Sequence, residues 1–145
     1  MKLAAARKNK AVVRKLQYGA VPWRESAGGI EVLLITSRET RRWVIPKGWP
    51  IRGLAPGEIA AREAFEEAGV GGVVSPRPLG HFDYGKLQPD GTALPCRVEV
   101  YGLEVMIQHR SWPEQGQRDL AWLPASKAAG NVAEQRLARI IEKLK

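Results

Sequence analysis

A chain of 145 residues, with 44% apolar and 26% charged side chains, has the length and balance of one ordinary globular domain. Its single cysteine, Cys96, allows no disulfide within the chain, and no apolar run approaches the roughly 20 residues that span a bilayer. A disulfide-stapled secreted scaffold and a helical membrane protein are excluded, and a reducing compartment is implied, with the cytoplasm as the default.

The formal net charge is +8, and it is unevenly spread. Lys2, Arg7, Lys8, Lys10, Arg14 and Lys15 all fall within residues 1–16, without one acid among them, so the rest of the chain is close to charge balance. The sequence is therefore read as a basic, partly disordered N-terminal arm over 1–16 and one domain over 17–145. Such an arm attracts polyanions, nucleic acid included. It also has the acid-free character of an organelle-targeting peptide, although it is short and poor in serine. A secretory signal is not expected, because no apolar core follows Lys2.

Along the body, Tyr18–Trp23 and Ile30–Thr36 read as strands around the turn Ser26-Ala27-Gly28-Gly29. The aliphatic run IEVLLIT is typical of a buried strand. Arg42–Ile45 is a third short strand, stopped by Pro46, and the loop KGWPIRGLAPG follows. A helix opens near Pro56, a residue suited to a first turn, and closes at Gly69, the usual residue past a helix end. Leu79–Lys86 and Cys96–Val105 are strands joined around Pro89-Asp90-Gly91, and Asp119–Leu123 is a further short strand. A last helix is expected with Asn131 as its N-cap and Glu134 three residues on, docking through Leu137, Ile140, Ile141 and Leu144. Strands and helices mix without regular alternation, which gives an α+β class, or an α/β/α sandwich around a mixed sheet.

The chemistry is concentrated in the first helix, where AREAFEEAG places Glu63, Glu66 and Glu67 at i, i+3 and i+4. Each pair of like charges so close costs roughly a few tenths of a kcal/mol on an exposed helix, a penalty that a cation removes. Hard divalent ions take such oxygen ligands, usually with waters and substrate phosphates completing the shell. Ala61, Ala64, Phe65 and Ala68 follow the same spacing on the other flank, which is expected to be the buried one. Three glutamates alone would more often form a solvated acidic face; the residues around them decide otherwise.

Gly48, Arg62, Glu63, Glu66, Glu67, Gly69 and Val70 resemble the Nudix box, G-x5-E-x7-R-E-U-x-E-E-x-G-U with U a bulky aliphatic residue, and every spacing is kept. Leu54 stands where the box has its first glutamate, and Ala64 where it prefers a larger aliphatic. Glu58 falls four residues too late to replace the missing acid and is expected to pair with Arg62 at i, i+4. The segments RRWVIPKGWP, EEAGVGG and RDLAWLP are similar to the diphosphoinositol polyphosphate and dinucleoside polyphosphate hydrolase branch, so the likeness spans roughly residues 18–143.

The resemblance implies a Nudix fold and a magnesium-dependent hydrolase, manganese also being suitable, acting on the pyrophosphate bond of a nucleoside or inositol polyphosphate. It implies Glu66 and Glu67 as metal ligands, Glu63 as a ligand or an orienter of the attacking water, a backbone carbonyl at Lys47 or Gly48 in the metal shell, and Arg62 as the group that holds the carboxylates. The general base varies within the family, and Glu99, Glu104 and Glu114 are the acids available for it. Arg38, Arg41, Arg42, Lys47 and Arg97 are candidate phosphate contacts, with Arg52 close in sequence. The expected partner is a small polyphosphate, with no membrane; nucleic acid is not favoured. Two alternatives stand beside this reading. One is an RNA 5′-pyrophosphohydrolase, encouraged by the basic charge. The other is a catalytically weak binding or sensor module, favoured by Leu54 alone. His81 and His109 have no partner at metal-ligand spacing, Cys96 lacks a catalytic signature, and Gly-x4-Gly-Lys-Ser/Thr is absent. Trp49, just before the helix, is placed to stack on a base, whereas Trp43, Trp112 and Trp122 read as core or lid.

Overall fold

The computed structural model describes residues 12–144; most of the basic arm lies outside the described residues. The chain runs β1 (Lys15–Ser26), β2 (Gly29–Thr36), β3 (Trp43–Val44), β4 (Lys47–Gly48), α1 (Pro56–Ala68), β5 (Val70–Val74), β6 (Gly80–Leu87), β7 (Ala93–Gln108), β8 (Leu120–Pro124), α2 (Ala125–Asn131) and α3 (Gln135–Glu142). Among the described residues no helix is long and apolar enough to cross a membrane.

The sheet is mixed. Its main path is β3-β2-β1-β7-β5, while β4 pairs with β1, β6 with β7 and β8 with β2. β1 and β7 run parallel in register from Lys15 opposite Cys96 to Trp23 opposite Glu104, and the other pairs are antiparallel. The uninterrupted apolar run of β2 is explained by cover on both faces. Successive strand residues point to opposite sides. Leu33 and Ile35 therefore pack with Ala60, Ala64 and Ala68 of α1, while Val32 and Leu34 pack with Ala128, Leu137 and Ile141 of α2 and α3. Two cores, one per sheet face, make the α/β/α sandwich.

Several local expectations are corrected. The terminal helix starts later than expected, and a helix not foreseen precedes it. Asn131 ends α2 instead of capping the last helix, its amide donating to the Lys127 carbonyl at 2.8 Å, and Glu134 holds the N-cap position of α3 without a side-chain cap bond. Leu137, Ile140 and Ile141 are buried as the spacing implies, with Leu144 packed beside them. Glu58 does not meet Arg62; its carboxylate turns back to accept from the Ala55 amide at 2.9 Å, satisfying a free donor at the start of α1. The buried stripe of α1 also differs from the expected one. It holds Ile59, Ala60, Ala64, Glu67 and Ala68, while Ala61 and Phe65 are only half-buried.

Candidate active site

The site is built where the start of the box meets its helix. β4 lays Gly48 beside Tyr18 of β1, and α1 crosses below it. A Cβ added at Gly48 would stand 2.3 Å from the Glu63 carboxyl carbon, so glycine is what lets that carboxylate lie on the backbone. One turn on, the Glu67 side chain is only 6% exposed. Burial, then the hydrogen bond it shares with Glu63, push the Glu67 carboxyl up to about 8, against the pull of Arg118 and Lys47. Burial likewise raises Glu63. Two carboxyls brought this close in a half-dry site favour protonation of one of them, and Glu67, the more buried, is the one raised further.

A cleft of about 520 Å³ opens over this pair. Glu63, Glu67, Gly48, Lys47, Arg38, Arg42 and Glu114 line it, together with Arg118, Lys86, Gln17, Tyr84 and Trp49. Lys47 is half-buried, and desolvation holds its ammonium below the ordinary lysine range, partly offset by Glu67 and Glu134. Its Nζ lies 5.0 Å from the centre of the Tyr84 ring, whose hydroxyl donates to Gln17 Oε1 at 2.6 Å. Arg42 faces Glu134 at 3.8 Å, and Arg38 donates to Gln117 Oε1 at 3.0 Å; both are about half-exposed and accessible to an anion.

The structure separates the remaining expected site residues from the cleft wall. Glu66 turns to Arg62, whose Nε donates to it at 3.0 Å. Arg41 is tied to Asp119 at 2.7 Å, and Arg97 grips Asp83 through two bonds of 2.8 and 3.1 Å. Neither Arg41, Arg97 nor Arg52 lines the cleft. Among the described residues no three acidic, histidine or cysteine side chains already converge as a metal cage. Leu54 sits in a turn closed by its own amide on the Ile51 carbonyl at 3.1 Å, also away from the cleft wall.

Of the three acids considered as a base, Glu114 alone reaches the cleft. Glu99 accepts from the Tyr101 hydroxyl at 2.8 Å, and Glu104 is exposed on β7. Glu114 belongs to the loop between β7 and β8, which is fastened to the end of α1. The Glu114 amide donates to the Glu66 carbonyl at 3.0 Å and the His109 amide to the Gly69 carbonyl at 2.7 Å. Gly69 has φ +71°, and a Cβ there would lie 2.3 Å from Trp112. Its missing side chain thus serves both the helix end and the seat of the loop. Arg118, at the far end of this loop, escaped the sequence reading because nothing local marks an arginine that folds back onto a distant helix. Lys86, Gln17 and Tyr84 were missed for the same reason.

Comparison with known proteins gives the frame for this geometry. No family model matches the chain. It is 32% identical over 130 residues to Nudix hydrolase 16, mitochondrial, of Arabidopsis thaliana, covering 79% of this chain and 70% of that protein. It is 48% identical over 85 residues to diphosphoinositol polyphosphate phosphohydrolase 3-beta of Bos taurus, covering 58% of this chain and 48% of that one. The fold matches the crystal structure of the C. elegans Ap4A hydrolase with a TM-score of 0.61 at 20% identity, over 90% of this chain and 96% of the other. The chain spans about half to 70% of the length of the curated relatives that it matches first. With these matches and the sandwich that carries the box, the chain belongs to the Nudix hydrolase family.

Proposed function

We propose that this protein is a divalent-cation-dependent hydrolase that cleaves the pyrophosphate bond of a nucleoside or inositol polyphosphate in this cleft, and that it works in the cytoplasm. The observation that carries the reading is the close pair Glu63–Glu67, with Glu67 buried, Glu63 set against Gly48, and cations lining the same cleft. Two acids forced together in a half-dry site fit a divalent ion that would take the place of their proton. Glu63 and Glu67 would hold it, with Glu66 and the Gly48 backbone within the same turn of structure and Arg62 steadying Glu66. When bound, magnesium or manganese supplies charge neutralisation at the anhydride and a more acidic water.

The chain's own residues do the rest. Lys47, Arg38, Arg42 and Lys86 receive the phosphate oxygens; arginine offers the paired donors that a phosphate accepts. Glu114 takes the proton of the attacking water, a role worth roughly 10²–10⁴-fold in rate. Trp49, 41% exposed at the rim, offers a flat apolar face to the group beyond the anhydride. The names of the bovine phosphohydrolase and the C. elegans Ap4A hydrolase support polyphosphates of these two kinds. Leu54 does not argue for a mere binding module, because its position is off the cleft wall.

The test is product release from dinucleoside polyphosphates, diphosphoinositol phosphates, nucleoside triphosphates, ADP-sugars and 5′-triphosphorylated RNA, with magnesium. Wild-type protein is compared with Glu67→Gln and Glu114→Gln. Turnover of a nucleoside or inositol polyphosphate that falls at least about 100-fold in both variants is expected. Equal turnover in wild type and both variants would overturn the assignment. Preference for the RNA would move the substrate class.

A further inference from the structure

We propose that Arg118 is a positioning residue for this reaction: its guanidinium holds Glu114, on the β7–β8 loop, in a fixed relation to Glu67 of α1. The inference rests on the reading of Glu114 as the proton acceptor.

The arginine side chain is only 10% exposed, and each of its nitrogens meets a different element. Nε donates to Glu114 Oε1 at 3.1 Å, Nη1 donates to the Thr36 carbonyl at the end of β2 at 3.1 Å, and Nη2 lies 3.6 Å from Glu67 Oε1. A planar fork with five donors can span three acceptors in fixed directions; an ammonium cannot. The neighbouring Asp119 amide donates to Thr36 Oγ1 at 2.9 Å, so the backbone that carries the fork is tied to the same strand end.

The loop leaves this fork a defined task. The Glu114 backbone is fastened to α1 by its own amide bond to Glu66 and by Trp112 seated on Gly69. What remains free is the Glu114 side chain, with its rotatable bonds, and Arg118 is the hydrogen-bond donor that restrains it. Arg38 stands 3.9 Å from the same carboxylate oxygen but is half-exposed and bonded to Gln117, so it is free to turn to substrate. Arg118, enclosed by protein acceptors, acts through Glu114. Its loss lets the acceptor wander without weakening substrate binding, and misplacement of a reacting group by about 1 Å can cost 10²-fold.

The experiment is a double-mutant cycle with the anhydride turned over fastest, measuring kcat, KM and thermal unfolding for wild type, Arg118→Met, Glu114→Gln and the double variant. Arg118→Lys is run beside them in case the methionine variant fails to fold. Arg118→Met is expected to lose about 100-fold in kcat with KM within twofold, and Arg118→Lys about tenfold. The double variant is expected to be no slower than Glu114→Gln alone, because a positioning residue has nothing left to position. Losses that multiply would overturn the inference while leaving Glu114 as the base. So would a raised KM at unchanged kcat, which marks a substrate contact, or wild-type kcat in Arg118→Lys. An unaffected Glu114→Gln, or no turnover of any anhydride, would overturn the reading of the base and this inference with it.

Discussion

Replacing Glu67 by glutamine keeps the shape of the side chain and removes its charge from a position that is 6% exposed. In the folded, metal-free protein this carboxyl is pushed up to about 8, whereas in the unfolded chain it titrates near the ordinary 4.5. Between those values the folded state binds the extra proton. The contribution of Glu67 to wild-type stability is therefore fully present below about 4.5 and is lost as the pH climbs to about 8. At about 1.4 kcal/mol per unit, the whole loss is on the order of a few kcal/mol, most of it complete by pH 7. Glutamine does not titrate, and its amide can donate to Glu63 as the protonated acid does. Lys47 loses an attractive neighbour in the variant, which keeps the gain below the full loss in wild type. Urea unfolding in the presence of a chelator at pH 5, 7 and 9 measures the difference. Glu67→Gln should match wild type most closely at pH 5 and exceed it increasingly towards pH 9. A difference that does not change with pH, or a wild type that is the more stable at pH 9, would refute the account of a desolvated, close pair of acids.

The same pair makes metal binding pH-dependent. The ion must displace the proton on Glu67, so manganese affinity by titration calorimetry should strengthen as pH rises from 6 towards 8 and then level; an affinity independent of pH would contradict it. Gly48→Ala drives a methyl into the Glu63 carboxylate and should lower metal affinity or activity about 10–100-fold, read by the same calorimetry and by turnover. Arg42→Ala removes an accessible phosphate donor and should raise KM by about tenfold or more while leaving the melting temperature nearly unchanged, since its one ion pair among the described residues is the 3.8 Å contact with Glu134.

The helix of the box was readable because its signals are local: Pro56 at the start, Gly69 at the end, and alanine and glutamate between them. Its orientation was not. Spacing puts Glu63, Glu66 and Glu67 within one turn, yet at about 100° per residue Glu66 and Glu67 diverge, so the neighbours decide which of them faces the cleft. Those neighbours are Gly48, Lys47 and Arg118, brought together by pairing between elements distant in sequence. That is why the reading assigned burial to Ala61 and Phe65 and missed it at Glu67. The same limit accounts for β5, where Gly71 and Gly72 conceal a strand that pairing with β7 creates around a bulge. It also accounts for α2, a helix not expected from the sequence whose Ala128 and Ala129 are buried by packing, and for α3, which starts at Gln135 rather than directly after Asn131. Arg41 was chosen for flanking the strand that enters the box and Arg97 for its place at the start of the strand after the Asp-Gly turn; in the fold, Asp119 and Asp83 claim them.

The most direct test of the central claim is hydrolysis of the polyphosphate panel by the wild-type protein, with magnesium and again after chelation. The account predicts turnover of a nucleoside or inositol polyphosphate that disappears when the cation is removed and returns when it is restored. Undiminished turnover in chelator, or binding of these anhydrides without cleavage under any divalent ion, would contradict it.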